Sequence, residues 1–487
     1  MELDSKTFDW AEQARFAHLS GDGNPLHLDA VVARRTQMGA PVVHGVHAVL
    51  WALEAAFRRE ELSPVSIQVN FLAPIYVGET AGAALERRSD SEVRIAISAA
   101  EALATVVTLK LGTARKSELP VNNCQLQSAD WPRFPIELDF DHIKTQAGAF
   151  AFARPQEHAA DEFPALCRAI SPQRVAAMVA LSRLVGMICP GLHSILKSFS
   201  LDLTESDATN AIRYATVEVC ERMSLVRMRV SGPGVSGEVA AFRRPPPVAQ
   251  PMMEDVAARV PKGAYAGAAV LVIGGSRGLG EVTAKACAAG GAAVHITYAT
   301  GRVDAERVAG EIVRHGGTCS VYPFDVRGNI RAQLSDIPVA PTHLYFFASR
   351  AMTPRRSGFL NASDLDDFLC VFAKGFFETC DALLAKRPDR QLRAFYPSSA
   401  AVAETPRGLT EYAMAKAAGE VLCENMNRYA VGVNVVCRRL PRMLTDQTAN
   451  VLRAESSPVL DILLPIVSEM QAAAEPTPLR TARGNFG

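Results

Sequence analysis

In the stretch VVHGVHAVLWALEAAFRRE, Val46, Leu50, Leu53 and Phe57 recur at helical spacing, which predicts one buried helix starting near Gly45. Beyond it the period shortens to two: SIQVNFLAPIYVG, EVRIAISA with Val93, Ile95 and Ile97 alternating, and LATVVTLKLG all read as strands. A long helix followed by antiparallel strands is the order expected of a sheet wrapped around a central helix. A further alternating stretch, NAIRYATVEVCERMSLVRMRVSG, predicts more strands of the same kind. Later the pattern changes again. AAVLVIGGSRGLGEVTAKACAAGGAAVHITYA runs from buried strand to glycine-rich turn, helix and second buried strand, the opening of a nucleotide-binding doubly wound fold.

Two breaks interrupt these patterns. The stretch from Glu118 to Pro135 loses periodicity, and RRPPPVAQP, from Arg243 to Pro251, reads as a stiff connector. Segments of about 1–117, 130–245 and 262–470 result, with a loose tail over 471–487. A chain of 487 residues exceeds what one core covers, so several domains are expected. Lys plus Arg and Asp plus Glu are both 51, without blocks of like charge, which argues against nucleic-acid and membrane-surface partners. No apolar run is long enough to span a bilayer, and MELDSKTFDW lacks the features of a signal peptide. The ten cysteines show no paired spacing, so they are expected to be reduced thiols in a cytoplasmic protein, and no metal is expected.

The chemistry concentrates at LSGDGNPLHLD, Leu19 to Asp29. GDGNP supplies turn chemistry that is expected to expose the following Asp and His. Asn24 is expected to order the loop and Asp29 to cap the next helix. A carboxylate and an imidazole this close in sequence, here Asp22 and His27, can act together as base and acid. Gly45, at the start of the apolar helix, could offer its N–H and the helix dipole to a developing oxyanion. His44 and His47 are expected to be structural.

D-x-N-P-x-H-x-D followed by H-G resembles the hydratase motif of the MaoC-like, (R)-specific enoyl-thioester hydratases, over roughly the first 115 residues. The resemblance implies a hotdog fold in which Asp22 and His27 jointly hold one water and act as base and acid in adding it across a trans-2-enoyl thioester, or in removing it. ICPGLHSILKSFSLDL in turn resembles VVHGVHAVLWALEAAF followed by a strand, with Pro190 to His193 matching His44 to His47. This implies a degenerate second hotdog, hence an α+β double hotdog. Carried back without gaps, the match sets Arg168 opposite Asp22 and Gln173 opposite His27, so no second catalytic pair is expected. An unrelated domain is the alternative.

The third segment resembles the short-chain dehydrogenase/reductase family, with an α/β doubly wound Rossmann fold. Gly274, Gly278 and Gly280 match its glycine turn, Tyr412 and Lys416 its Y-x-x-x-K, and Ser399 stands where its serine does. The resemblance implies catalysis by Ser399, Tyr412 and Lys416, with Lys416 making the Tyr412 phenol a better acid. It implies nucleotide contacts from Gly274, Ser276, Arg277, Gly278, Leu279, Gly280, Arg302, Asp325, Val326, Ala348, Tyr412, Lys416 and Thr445. No acid ends VHITYA to hold a free ribose hydroxyl, while Arg277 and Arg302 could meet a 2′-phosphate, which points to NADPH. The segment departs from the family at Ile273, at Phe346 to Ser349, at Phe372 in place of a proton-relay Asn, and in CRRLPRMLTD, which lacks the usual Pro-Gly.

Together these features predict a bifunctional enzyme for a beta-oxoacyl thioester on coenzyme A or an acyl carrier protein. It would form homo-oligomers through the reductase segment. A single-activity enzyme and a non-catalytic acyl-carrier-binding scaffold are the alternatives.

Overall fold

The computed structural model describes residues 1–112, 133–151, 153–205, 211–338, 340–350, 358–386, 391–451 and 455–472. Most of the first connector and nearly all of the predicted tail lie outside the described residues. The chain divides into two compact units, one built on Met1–Pro246 and the other beginning at Pro247.

The first unit is a ten-stranded antiparallel sheet. Its first half comprises β1 (Glu2–Thr7), β2 (Pro64–Phe71), β3 (Thr80–Arg88), β4 (Glu92–Ala99) and β5 (Ala102–Leu111). The helix Gly45–Arg59 lies between β1 and β2 in the chain, with Val46, Val49, Leu50 and Leu53 fully buried. The alternating Val93, Ile95 and Ile97 also point into this core. The second half comprises β6 (Ala147–Ala151), β7 (Ser194–Leu203), β8 (Ala211–Cys220), β9 (Leu225–Gly232) and β10 (Val235–Arg243). The spatial order β1-β3-β4-β5-β2-β7-β10-β9-β8-β6 reads the same outward from the β2–β7 junction in both directions. At that junction Val69 faces Phe199 across an antiparallel pair.

The strand order repeats between the two halves, but the register of helix and strand differs from the expected one. Pro190 to His193 does not start the second central helix; it follows it. That helix is Pro172–Arg183, continued by a π-helical turn over Leu184–Ile188, and Ser194 already opens β7. The four-residue likeness misled because SILKSFSLDL is strand, with burial alternating along its second half. Arg168 and Gln173 are therefore not the counterparts of Asp22 and His27. In the first half the interval between edge strand and central helix holds the motif loop. In the second it holds the helices Ala153–Glu162 and Pro164–Ile170, so the loop has no equivalent.

The second unit is a six-stranded parallel sheet in the order β13-β12-β11-β14-β15-β16. Its strands are β11 (Ala269–Ile273), β12 (Ala293–Tyr298), β13 (Thr318–Pro323), β14 (His343–Phe346), β15 (Leu392–Ser399) and β16 (Val433–Leu440). This is the doubly wound order, whose reversal between β11 and β14 opens a crevice at the strand carboxyl ends. Met253 and Val256, just after the proline-rich connector, are buried in this unit's core.

Candidate active sites

The motif loop is shaped by its own side chains. The helix Trp10–Ser20 ends at Gly21, which takes the left-handed conformation at φ 73°. The Asp22 N–H donates to Ser20 Oγ (3.1 Å) and the Asn24 N–H to Asp22 Oδ1 (3.1 Å). Asn24 caps the short helix Pro25–Leu28 through Leu26 N–H (3.0 Å), while its Nδ2 donates to the Gly186 carbonyl (2.8 Å). Asp29 caps the next helix by accepting from Val31 and Val32. Both expected ordering roles are thus visible, and Asn24 also ties the loop to the second half of the unit.

Asp22 is buried, and Ser182 Oγ donates to its Oδ2 at 2.7 Å. Burial raises the Asp22 carboxyl above the usual carboxylate range; nearby His27, the Ser182 hydroxyl and the Asn24 N–H oppose that shift. Gly186 makes room for the carboxylate, because a Cβ there would lie 2.2 Å from Asp22 Oδ1. The half-buried His27 donates Nδ1–H to the Val42 carbonyl (2.7 Å), which leaves Nε2 with its lone pair.

His44, expected to be structural, joins this pair. Ligand atoms of Asp22, His27 and His44 all lie within 4.8 Å of one another. The His44 ring stacks on His27 at 3.9 Å between centroids, and its Nε2 approaches the Asp22 carbonyl at 3.1 Å. Burial holds the His44 imidazole well below its ordinary pKa. His47 is structural as expected: it stacks on Phe16 at 4.6 Å, and burial lowers it to about 3. Gly45 opens the central helix, where first-turn N–H groups lack intrahelical partners. A Cβ at Gly45 would meet the Phe71 ring at 2.7 Å.

Ser182 and Gly186 escaped the sequence reading. They lie 160 and more residues from Asp22, and their only signal is a pair of small residues four apart on an apolar helix.

In the second unit the glycine turn follows β11. Gly274 has φ +76°, and a Cβ there would strike the Phe347 carbonyl at 2.7 Å, with Ala348 N at 3.2 Å. A Cβ at Gly280 would lie 2.3 Å from the Gly274 carbonyl. Gly278 begins the helix Gly278–Ala289, and its nearest neighbour on that side is Thr445. Gly274, Gly278, Ala348 and Thr445 are thus gathered at the strand carboxyl ends. Ser276 is buried, and Leu279 packs against the core.

Asp325 follows β13 and pairs with Arg327 (2.9 Å), which holds its carboxyl low. Val326 packs on Gly375, where a Cβ would stand 3.1 Å away. The Arg277 guanidinium is engaged by Asp446 through Nε (2.7 Å) and by Asp304 through Nη1 (3.3 Å). Arg302 is not brought to this group; it is exposed and paired with Glu306, one turn along its own helix (2.7 Å).

Ser399 closes β15, and Tyr412 and Lys416 stand one turn apart on the helix Thr410–Tyr429. The Tyr412 hydroxyl is hydrogen-bonded with Ser399, which only partly offsets the upward push of burial on the phenol. The expected lowering of Tyr412 by Lys416 is not what this arrangement produces. The Lys416 ammonium donates to the Pro397 carbonyl (2.6 Å) and sits 4.0 Å from the Phe372 ring centre, against 5.9 Å from that of Tyr412. Burial lowers Lys416 to about 7. Phe372 lies in a π-helical turn, Cys370–Lys374, and packs edge-on against Tyr412 (5.6 Å).

Two family models match separate parts of the chain. Residues 2–108 match the MaoC like domain and residues 268–456 the short chain dehydrogenase, so a MaoC-like domain is followed in one chain by a short-chain dehydrogenase domain. Among individual proteins, an (R)-specific enoyl-CoA hydratase from Aeromonas caviae is 37% identical over 87 residues, which cover 17% of this chain and 63% of that protein. The chain therefore spans less than two thirds of that relative's length. A 3-oxoacyl (acyl-carrier-protein) reductase from Agrobacterium tumefaciens, solved with NADP bound, is 23% identical over 38% of this chain and 74% of its own, with a TM-score of 0.36. A short chain dehydrogenase from Burkholderia cenocepacia, in complex with NADP, is 25% identical over 38% of this chain and 78% of its own, with a TM-score of 0.34.

Proposed function

We propose that the chain is a bifunctional enzyme for 3-oxoacyl thioesters: the second unit reduces the 3-oxo group, and the first interconverts the 3-hydroxyacyl and trans-2-enoyl thioesters by loss or addition of water. The carrying observation is the cluster in which Asp22 and His27 place ligand atoms within 4.8 Å of one another while His27 Nδ1 is taken up by the Val42 carbonyl. In dehydration neutral His27 takes the alpha proton at Nε2 and protonated Asp22 gives its proton to the leaving hydroxyl; hydration is the reverse, with ionised Asp22 taking a proton from water and imidazolium His27 delivering its Nε2 proton to the alpha carbon. The Gly45 N–H at the helix start stabilises the thioester oxyanion. The first unit is read as a double hotdog with one active half.

In the second unit the glycine turn fits a dinucleotide: Cβ atoms at Gly274 and Gly280 would fill the backbone cradle, and Gly278 leaves the helix N-terminus open. Bound there, NADPH supplies the hydride. Ser399 holds the substrate carbonyl, and Tyr412 gives its proton to the oxygen that becomes the hydroxyl. Lys416, one helical turn on from Tyr412, would hold the ribose. Arg277, beside Gly278, is the group assigned to a 2′-phosphate, which must then compete with Asp446 and Asp304. The acyl group is carried on coenzyme A or a carrier protein. The protein is read as cytoplasmic and oligomeric through the second unit; among the described residues no helix is long and apolar enough to cross a membrane.

Purified protein should hydrate crotonyl thioester and oxidise NADPH with acetoacetyl thioester. Absence of NADPH oxidation with every 3-oxoacyl thioester tried would leave the hydratase reading alone standing.

A further inference from the structure

We propose that Asp446 sets the choice between NADPH and NADH in the second unit, by holding in an ion pair the arginine that a 2′-phosphate would need. This assignment rests on the reading of the glycine turn as a nucleotide site.

Three observations carry it. First, Arg277 is turned onto two acids. Its Nε donates to Asp446 Oδ2 at 2.7 Å, its Nη2 contacts the same oxygen, and its Nη1 donates to Asp304 Oδ1 at 3.3 Å. Each of the three guanidinium nitrogens therefore has a carboxylate partner, and two carboxylates around one guanidinium leave the group negative. Arg307, whose charge reaches Asp304, is itself held by Glu281 at 2.7 and 3.0 Å.

Second, the Asp446 carboxylate is fixed from behind. Its Oδ1 accepts the Val248 N–H at 2.7 Å, and Gln250 Nε2 donates to the Leu444 carbonyl at 3.3 Å, so the connector holds the loop after β16 at two points. The side chains of Arg277 and Asp446 are only 18% and 10% exposed, and a partly buried pair is screened much less than one at the surface.

Third, the pair stands at a helix start. Arg277 is the N-cap residue of Gly278–Ala289, and Thr445, next to Asp446 in the chain, is the nearest neighbour of Gly278, 3.7 Å from the position of a Cβ there. That end of a helix favours negative charge, and a resident carboxylate already supplies it. A 2′-phosphate, with a charge of about −1.5 to −2 at neutral pH, must displace a carboxylate from Arg277 and then remain beside it. A 2′-hydroxyl is neutral and meets no such cost. Arg277 read by itself points to a firm preference for NADPH; with Asp446 and Asp304 around it, the preference becomes slight.

The test measures nucleotide affinity in the full chain by fluorescence titration with NADPH and NADH. Asp446→Asn keeps an oxygen to accept from Val248 and removes the charge that holds Arg277. It should tighten NADPH binding on the order of tenfold, the weight of one hydrogen bond to a charged group, and leave NADH within about twofold. Adding Arg277→Ala should cancel that gain, because the released guanidinium is what the phosphate binds. Asp304→Asn releases the other contact and should shift NADPH affinity in the same direction, a second measure should Asp446→Asn prove misfolded by circular dichroism. The parent should bind NADPH no more than about tenfold tighter than NADH, a margin of one such bond. Unchanged NADPH affinity in a folded Asp446→Asn variant, or a gain that survives the loss of Arg277, would overturn the proposal while nucleotide binding itself stands. A parent that binds neither nucleotide would overturn the nucleotide reading and the proposal with it.

Discussion

Ser182 and the Asn24 N–H both donate to a carboxylate that burial would otherwise leave protonated to higher pH. A donor to a carboxylate stabilises its ionised form, so removing the Ser182 hydroxyl lets Asp22 keep its proton further up the pH scale. Ser182→Ala should therefore move the acid limb of kcat/KM for crotonyl-thioester hydration to higher pH. Activity near neutrality should fall on the order of tenfold, in line with loss of a hydrogen bond to a charged group. An unmoved acid limb would show that Ser182 does not tune the base. Phe372 shows the same logic in the second unit. An aromatic face packs beside Lys416 and Tyr412, and burial is the largest influence on both groups.

The π-helical turn over Leu184–Ile188 sets one element of the second half against the motif loop of the first. Gly186 is its contact point: a Cβ would lie 2.2 Å from Asp22 Oδ1 and 2.6 Å from Cγ, distances no rotamer of a buried aspartate absorbs easily. Gly186→Ala should displace the carboxylate and lower hydration by at least about 100-fold, the weight of a misplaced general base. NADPH oxidation should stay at the parent level. Near-parental hydration in this variant would mean that Asp22 works from another position. Glu54 links the halves elsewhere, its buried carboxylate accepting from Ala165 and Leu166 N–H at the start of a second-half helix. The second half is thus a structural partner of the active loop, although it carries no such loop itself.

At the level of the whole chain, two compact units each hold one candidate centre, which predicts separable activities. Asp22→Asn should abolish hydration and leave NADPH oxidation intact. Tyr412→Phe should abolish NADPH oxidation with a 3-oxoacyl thioester, leave NADPH affinity nearly unchanged and spare hydration, because the phenol's proton is needed mainly in the transition state. Steady-state assays of both reactions on both variants check this; loss of both activities from either substitution would tie the centres together.

The sequence by itself determined what local pattern determines. Helical spacing from Val46 to Phe57, alternation from Val93 to Ile97 and the strand–glycine turn–helix at Gly274 to Gly280 are written in neighbouring residues, and the structure follows them. The motif loop belongs here too, since Asn24 and Asp29 cap helices within a few residues of themselves. Tertiary structure alone decided the rest, because it depends on which distant surfaces bury one another. The register of the second half followed from strand pairing across β2 and β7, against a four-residue likeness at Pro190. Packing brought Ser182 and Gly186 to Asp22 and turned His44 from an expected core residue into a neighbour of the reactive pair. Burial, which no spacing reveals, lowers Lys416 to about 7 and raises the Tyr412 phenol.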